Sequence, residues 1–529
     1  MKKQILTLTA AILLASCGGG ASSTSSQTPS GSSSPEATSS KSEESSSKAE
    51  SSEESSSKAE SSSAEQTSSG EEHDYIITEP VEIEFKSGMN DTNQSMMKSF
   101  AEAFMKIEPN VTVNVNKETG NWSQVTDKVY DGLAVDNYPD LLPGYPDAFQ
   151  QFLDVGKIVK LDSFINDKTY GWDESDREDL IESYVEEGSN YQRTGTFSLP
   201  FAKSTEALYY NKDVVIGMDL SGVDSTINNG NPLDVNYINN LTWEEFFDKL
   251  CPAIISYNDS LGEDEKILKD VGNFKTSVLG YHSDDNLFIT LAEQYGYGYT
   301  SVDEYGDASI NFVNDNMKAL VKKLNTYKNK GYLTTNGLGN FGNFKDTSTS
   351  NLFCISSTGG LSYQVTSAFE TGVAPIPQAA NSPRKVINQG PSICILDHGD
   401  SNRTLASWLF YKFITNETNN LYWAINTGYS PIRYSVNESD VFQKYINEGK
   451  SSSDPSAHLA ALATEYISNP EFVGEALFSS PVFRGSGAAR TNVGGIITSA
   501  LTLSDADCTD EKINEIFQSA YDNTLKFMN

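Results

Sequence analysis

Between Val81 and Val115 the chain reads strand, helix, strand, and that order constrains its fold more than any other feature. Val81-Glu82-Ile83-Glu84-Phe85 alternates apolar and polar residues, the pattern of a half-buried strand. Met96, Met97, Phe100, Phe104 and Ile107 then recur at the spacing of an amphipathic helix over 91–108. Asp91, Thr92 and Asn93 are its N-cap candidates, and Pro109-Asn110 stops it. Val111-Thr112-Val113-Asn114-Val115 resumes the alternation. A unit of this kind predicts parallel strand pairing and an α/β fold.

Farther along, helices and short strands interleave without a repeat. Thr242 to Leu250 starts a helix, with Thr242 as N-cap and Glu245 completing a capping box. Residues 314–329 and 403–414 also read as amphipathic helices, and the Gly-, Asn- and Asp-rich stretch 216–240 reads as a surface loop. At 529 residues the chain is long enough for two lobes, each with its own core.

The first seventy or so residues have a different character. Lys2 and Lys3 precede an apolar run from Ile5 to Leu14 that is too short to span a bilayer. Leu14-Ala15-Ser16-Cys17 follows, and this resembles the lipobox of bacterial lipoproteins. The resemblance implies a signal peptide over 1–17 and a lipidated Cys17 that anchors the protein on the extracellular face of the cell membrane. Residues 18–74 are Ser- and Glu-rich, with 43–52 repeated at once as 53–62 and no aromatic between Cys17 and His73. Such a segment cannot bury enough surface to offset its chain entropy. It reads as a disordered tether with a span on the order of 40 Å, or as a glycosylated stalk. The folded body is then 75–529.

The net charge of −34 excludes nucleic-acid binding, which needs clustered Lys and Arg, and disfavours direct docking on an anionic membrane. His73, His282, His398 and His458 are far apart and fit no metal-ligand spacing. No GxSxG or Walker A element occurs, and the glycine run at Gly339-Asn340-Phe341-Gly342 is too short to carry meaning, so neither a catalytic residue, a cofactor nor a metal is expected. Cys251, Cys354, Cys394 and Cys508 are compatible with disulfides in an exported protein or with buried free thiols.

Several segments, taken in order, carry a family resemblance. They are Ser198-Leu199-Pro200 through Tyr209-Tyr210-Asn211-Lys212-Asp213, Thr242-Trp243-Glu244-Glu245-Phe246, Tyr281 to Gln294, Phe353 to Gly360, and Asn426-Thr427-Gly428-Tyr429-Ser430-Pro431. Together they resemble the family 1 extracellular solute-binding proteins of ABC importers, which include maltose-type and glycerol-3-phosphate binders. The resemblance implies a fold of two α/β lobes joined by hinge strands, closing over a ligand in the cleft. It implies a monomer that captures a small-molecule solute, foremost a carbohydrate, and delivers it to the transmembrane subunits of an ABC permease. A phosphorylated polyol is the alternative ligand; a lipoprotein adhesin or a secreted hydrolase is the alternative from another class.

A sugar site combines aromatic rings, which stack on the C–H face of a pyranose, with polar groups for the hydroxyls. Trp122, opening a helix after the second strand, and Tyr145, at a turn after an apolar strand, are the aromatic candidates, with a core role as the alternative for Trp122. Pro146 departs from the family pattern, so the acidic ligand role near that turn is not carried over to Asp147. Ser204 in a polar turn, Ser357 between a strand and a helix start, and Gly390 in Asn388-Gln389-Gly390-Pro391-Ser392 either approach ligand or serve turns. Tyr429, in the Thr-Gly-Tyr-x-Pro segment, is a ligand contact or a hinge-packing residue. Arg484 and Arg490 offer forks for a phosphate, carboxylate or diol, or else surface salt bridges.

Overall fold

The computed structural model describes residues 76–270, 276–338, 344, 351–469 and 476–528. The signal peptide, Cys17 and the tether lie outside the described residues.

The strand–helix–strand unit forms as its pattern predicts. Val81–Ser87 and Val111–Lys117 are parallel neighbours, Val81 opposite Val111, and the helix Asp91–Ile107 crosses between them. Its buried stripe is Met96, Met97, Phe100, Ala101 and Phe104. Ile107, expected on that stripe, closes the helix and is 56% exposed. The cap is Asn90 rather than Asp91, Thr92 or Asn93. Asn90 has the extended backbone that a cap requires, and its side chain accepts the Asn93 N–H at 2.9 Å, whereas the next three residues are already helical.

Two five-stranded sheets organise the body. In the first, the order is Val111–Lys117, Val81–Ser87, Leu141–Gly144, Ser392–Ile395, Leu199–Pro200. Ser392–Ile395 runs antiparallel to both neighbours, having returned from the other lobe. In the second, the order is Thr371–Ala374, Glu206–Asn211, Phe353–Ser357, Leu279–Tyr281, Leu333–Thr335, with parallel pairing confined to the last three. Each sheet has its own core. Phe85, Phe104, Trp408 and Trp423 pack about the first, and Leu208, Phe246, Phe288 and Phe517 about the second. Two sheets with separate cores make two lobes, because helices must cover both faces of mostly buried strands.

The chain passes between lobes at Phe201–Thr205, at Asn388–Pro391, and a third time between Ile432 and Leu459. The first two crossings hydrogen-bond to each other, the Ser204 N–H to the Gln389 carbonyl at 3.0 Å and the Gln389 N–H to the Ser204 carbonyl at 2.9 Å. Lys203 is fully buried at the crossing and binds the Glu187 carboxylate, while the Ser430 N–H donates to the Lys203 carbonyl at 2.7 Å. Gly390 has φ +83°, and a Cβ there would come within 2.0 Å of the Ala202 carbonyl oxygen. Only glycine lets the two crossings touch.

Other expectations are refined. The helices at 314–329 and 403–414 appear as Asp315–Asn329 and Ser401–Ile414. Thr242 accepts the Glu245 N–H at 3.1 Å, but the Glu245 carboxylate accepts from the Tyr237 hydroxyl instead of closing a capping box. The stretch 216–240 is no mere surface loop, since Leu220, Ile227, Leu233 and Ile238 are buried in the second core. They stand singly among polar residues and so show no period. Cys251, Cys354, Cys394 and Cys508 are buried free thiols. Among the described residues no helix is long and apolar enough to cross a membrane.

Candidate functional site

A hollow of about 690 Å³ is lined by both lobes and by the second crossing. A larger groove, about 950 Å³, lies beside Trp172, Tyr434 and Leu477 and takes in none of the expected ligand residues. The convergence of two lobes on one space is what a binding cleft requires.

The first-lobe wall is aromatic. Trp122 opens the helix Trp122–Gly132, and its position is set by a complete capping box: Asn121 accepts the Gln124 N–H, and Gln124 accepts the Asn121 N–H, both at 3.0 Å. The Trp122 side chain lies near enough to the Tyr429 phenol to oppose part of its upward shift. The Tyr429 ring stacks on Trp423 at 6.5 Å and presses on Gly359 of the second lobe, where a Cβ would come within 2.7 Å of the ring. Burial pushes Tyr429 up to about 12, so the phenol stays neutral. Tyr145 stands on the same wall at the start of the helix Pro146–Asp154, its phenol also raised by burial.

The second-lobe wall is polar and acidic. Glu206 begins its strand and is 1% exposed; it accepts from the Tyr281 hydroxyl and from Asn286 Nδ2 at 3.1 Å. Burial raises its carboxyl to about 7, against the pull of those two donors. Asp284 and Asp285 occupy the first turn of the helix Asp284–Tyr295, where the helix N-terminus favours negative charge. Ser357 ends its strand, accepts the Gly359 N–H and donates to the Ser204 hydroxyl, both at 3.2 Å.

Arg490 ties the walls together. It projects from the helix Ser486–Leu501, which is held in the second core by Ala489, Val493, Ile496 and Ile497. Its Nη1 donates to Asp285 at 2.9 Å and to Asn286 at 2.8 Å, while Nε donates to Asp147 of the first lobe at 2.7 Å. Burial would raise Asp285, but the guanidinium outweighs it and holds that carboxyl below its usual range.

At the crossing, Asn388 is 6% exposed and lines the hollow, yet neither atom of its amide has a hydrogen-bond partner. A buried amide left in that state is costly unless something else bonds to it.

The structure thus places Trp122, Tyr145, Ser357 and Arg490 on the hollow, and Tyr429 behind Trp122. Ser204 and Gly390 belong to the touching crossings. Arg484 lies elsewhere, its side chain 56% exposed and 3.7 Å from Asp154. Asp147, set aside because of Pro146, is on the wall through its pairing with Arg490. Glu206, Asp284, Asp285, Asn286 and Asn388 were not singled out from sequence. Each is an ordinary polar residue whose meaning comes from what faces it.

A comparison with curated proteins returns no match. Among solved structures, the chain is similar to UgpB from Mycobacterium tuberculosis in complex with glycerophosphocholine, with 18% identity, TM-score 0.57, and coverage of 84% of this chain and 99% of that one. It is similar to the cyclic alpha-maltosyl-1,6-maltose binding protein from Arthrobacter globiformis, with 15% identity, TM-score 0.58, and coverage of 84% and 99%. The ABC substrate-binding protein Lmo0181 from Listeria monocytogenes in complex with cycloalternan has 15% identity, TM-score 0.58, and coverage of 85% and 99%. At these identities the likeness establishes the two-lobed fold. The family model described as bacterial extracellular solute-binding protein matches residues 96–448, about two thirds of the sequence, and with the hinged lobes and the hollow between them the chain belongs to that family.

Proposed function

We propose that the protein captures a carbohydrate between its lobes and delivers it to the permease of an ABC importer, binding without catalysis. One observation carries this reading: a hollow between the lobes with Trp122 and Tyr145 on one wall and hydrogen-bonding side chains on the other. Aromatic faces suit the C–H face of a sugar ring, and the opposite wall suits its hydroxyls. The solved neighbours in complex with glycerophosphocholine and cycloalternan are in keeping with a polyhydroxylated solute. A phosphorylated polyol finds less support, because the Arg490 fork is already engaged by Asp147, Asp285 and Asn286, and Arg484 is off the site.

Ligand held by both walls favours the closed arrangement by the contacts made only there, and the closed monomer is the form that docks on the permease. In this reading Cys17 is the lipidated residue, and 18–74 is the tether carrying the body away from the outer face of the membrane.

A thermal-shift panel of mono- and oligosaccharides, polyols, glycerol 3-phosphate and amino acids tests the proposal. A sugar at 100 times its dissociation constant stabilises the protein by about 2.7 kcal/mol, a shift of a few degrees. Response to amino acids alone would overturn it.

A further inference from the structure

The charge lining the hollow is one-sided. Among the described residues it comprises four carboxyls, Asp147, Glu206, Asp284 and Asp285, against one guanidinium, Arg490, and burial without a cation beside them raises Glu206 and Asp284. Asp147 and Asp285 both bind that guanidinium directly, while Glu206 feels it only at a distance and is still raised by burial. His282, also on the hollow, is held toward its neutral form by burial.

The partners of Glu206 are neutral. Tyr281 serves one carboxylate oxygen and Asn286 the other, and each oxygen can accept a second hydrogen bond. Asp284 takes Thr498 on Oδ2 at 3.1 Å, while its Oδ1 is buried without a partner. The same hollow is lined by the buried Asn388 amide, whose unused donor and acceptor match a hydroxyl, which both gives and takes. No three carboxylates, imidazoles or thiols among the described residues stand close enough to hold a metal ion. The acceptors on this wall suit the N–H donors of an organic ammonium.

Taking the carbohydrate reading as its basis, we propose that the solute is an amino sugar whose protonated amine seats against Glu206 in the field of Asp284, with Asn388 bonding a hydroxyl of the same molecule. An ammonium is compact, has three N–H donors and needs acceptors, which is what the second-lobe wall supplies. An anion would meet repulsion from the same groups, and a plain sugar would leave the carboxylates uncompensated.

Calorimetric titration of the full-length protein near neutral pH decides the matter, using a glucosamine disaccharide, its N-acetylated counterpart, the glucose disaccharide of the same linkage, and glycerol 3-phosphate. The glucosamine disaccharide is expected to bind at least tenfold tighter than the other two sugars, with Glu206→Gln reducing that preference to under twofold. Binding of the plain sugars with equal or greater affinity overturns the amine assignment and leaves the carbohydrate reading standing. Glycerol 3-phosphate as the tightest ligand overturns both. The wild-type ratio carries the test even if the variant folds poorly.

Discussion

The two walls of the cleft are built by different means. On the first lobe, Trp122 and Tyr145 sit at helix starts fixed by local devices, a capping box in one case and a proline at the first helical position in the other. On the second lobe, the polar wall is assembled from Glu206, Tyr281, Asn286 and Arg490, which lie on four separate elements and meet only through tertiary packing. The first wall is therefore set by a few neighbouring residues and should tolerate change elsewhere. The second is a connected network in which one substitution reaches the others.

The largest effect expected from that difference is on stability. Glu206 is raised from 4.5 to about 7 in the folded state, so the native protein holds this proton more tightly than the unfolded chain. The stabilisation is fully present below pH 4.5 and is lost as pH rises through about 7, an amount on the order of 3 kcal/mol. Unfolding by denaturant across this window should show Glu206→Gln losing that slope, and parallel wild-type and variant curves would remove Glu206 from the network. Trp122→Ala should act on the other property, weakening sugar binding by ~1–3 kcal/mol in calorimetry while leaving the network's pH dependence intact. An unchanged affinity would show that the aromatic wall does not stack on ligand.

The smallest effect concerns the link between walls. Asp147→Asn removes the charge from the inter-lobe one of Arg490's three hydrogen-bond partners, a partly exposed pair worth roughly 1 kcal/mol. Small-angle scattering of the ligand-free protein should then show a more expanded population. No change would mean that Tyr429 against Gly359 and the crossings hold the lobes without it.

Local pattern made part of this molecule legible. The helix Asp91–Ile107 follows from its apolar spacing, and the sequence Asn121-Trp122 followed by Gln124 declares a helix start beside a ring. Tyr429 was readable through its Thr-Gly-Tyr-x-Pro context, although its contact with Trp122 was not. The core residues of 216–240 are hidden because they follow no period, and Asn388 carries no signal in the sequence because an asparagine in a turn gains meaning only when its amide is buried and unpartnered.

What the sequence by itself determined is what repeats locally: the strand–helix–strand unit, the α/β class, and the low-complexity composition of the first seventy or so residues. The motifs that carry the family resemblance belong here too, since each is a short run of neighbours. Only the tertiary structure decided which residues share the cleft, that Arg484 stands apart while Arg490 joins the lobes, and that the second wall is acidic. The physical reason is range. Propensity and capping act over a few residues, whereas a buried carboxylate's proton affinity and an arginine's partners depend on groups brought together across hundreds of positions.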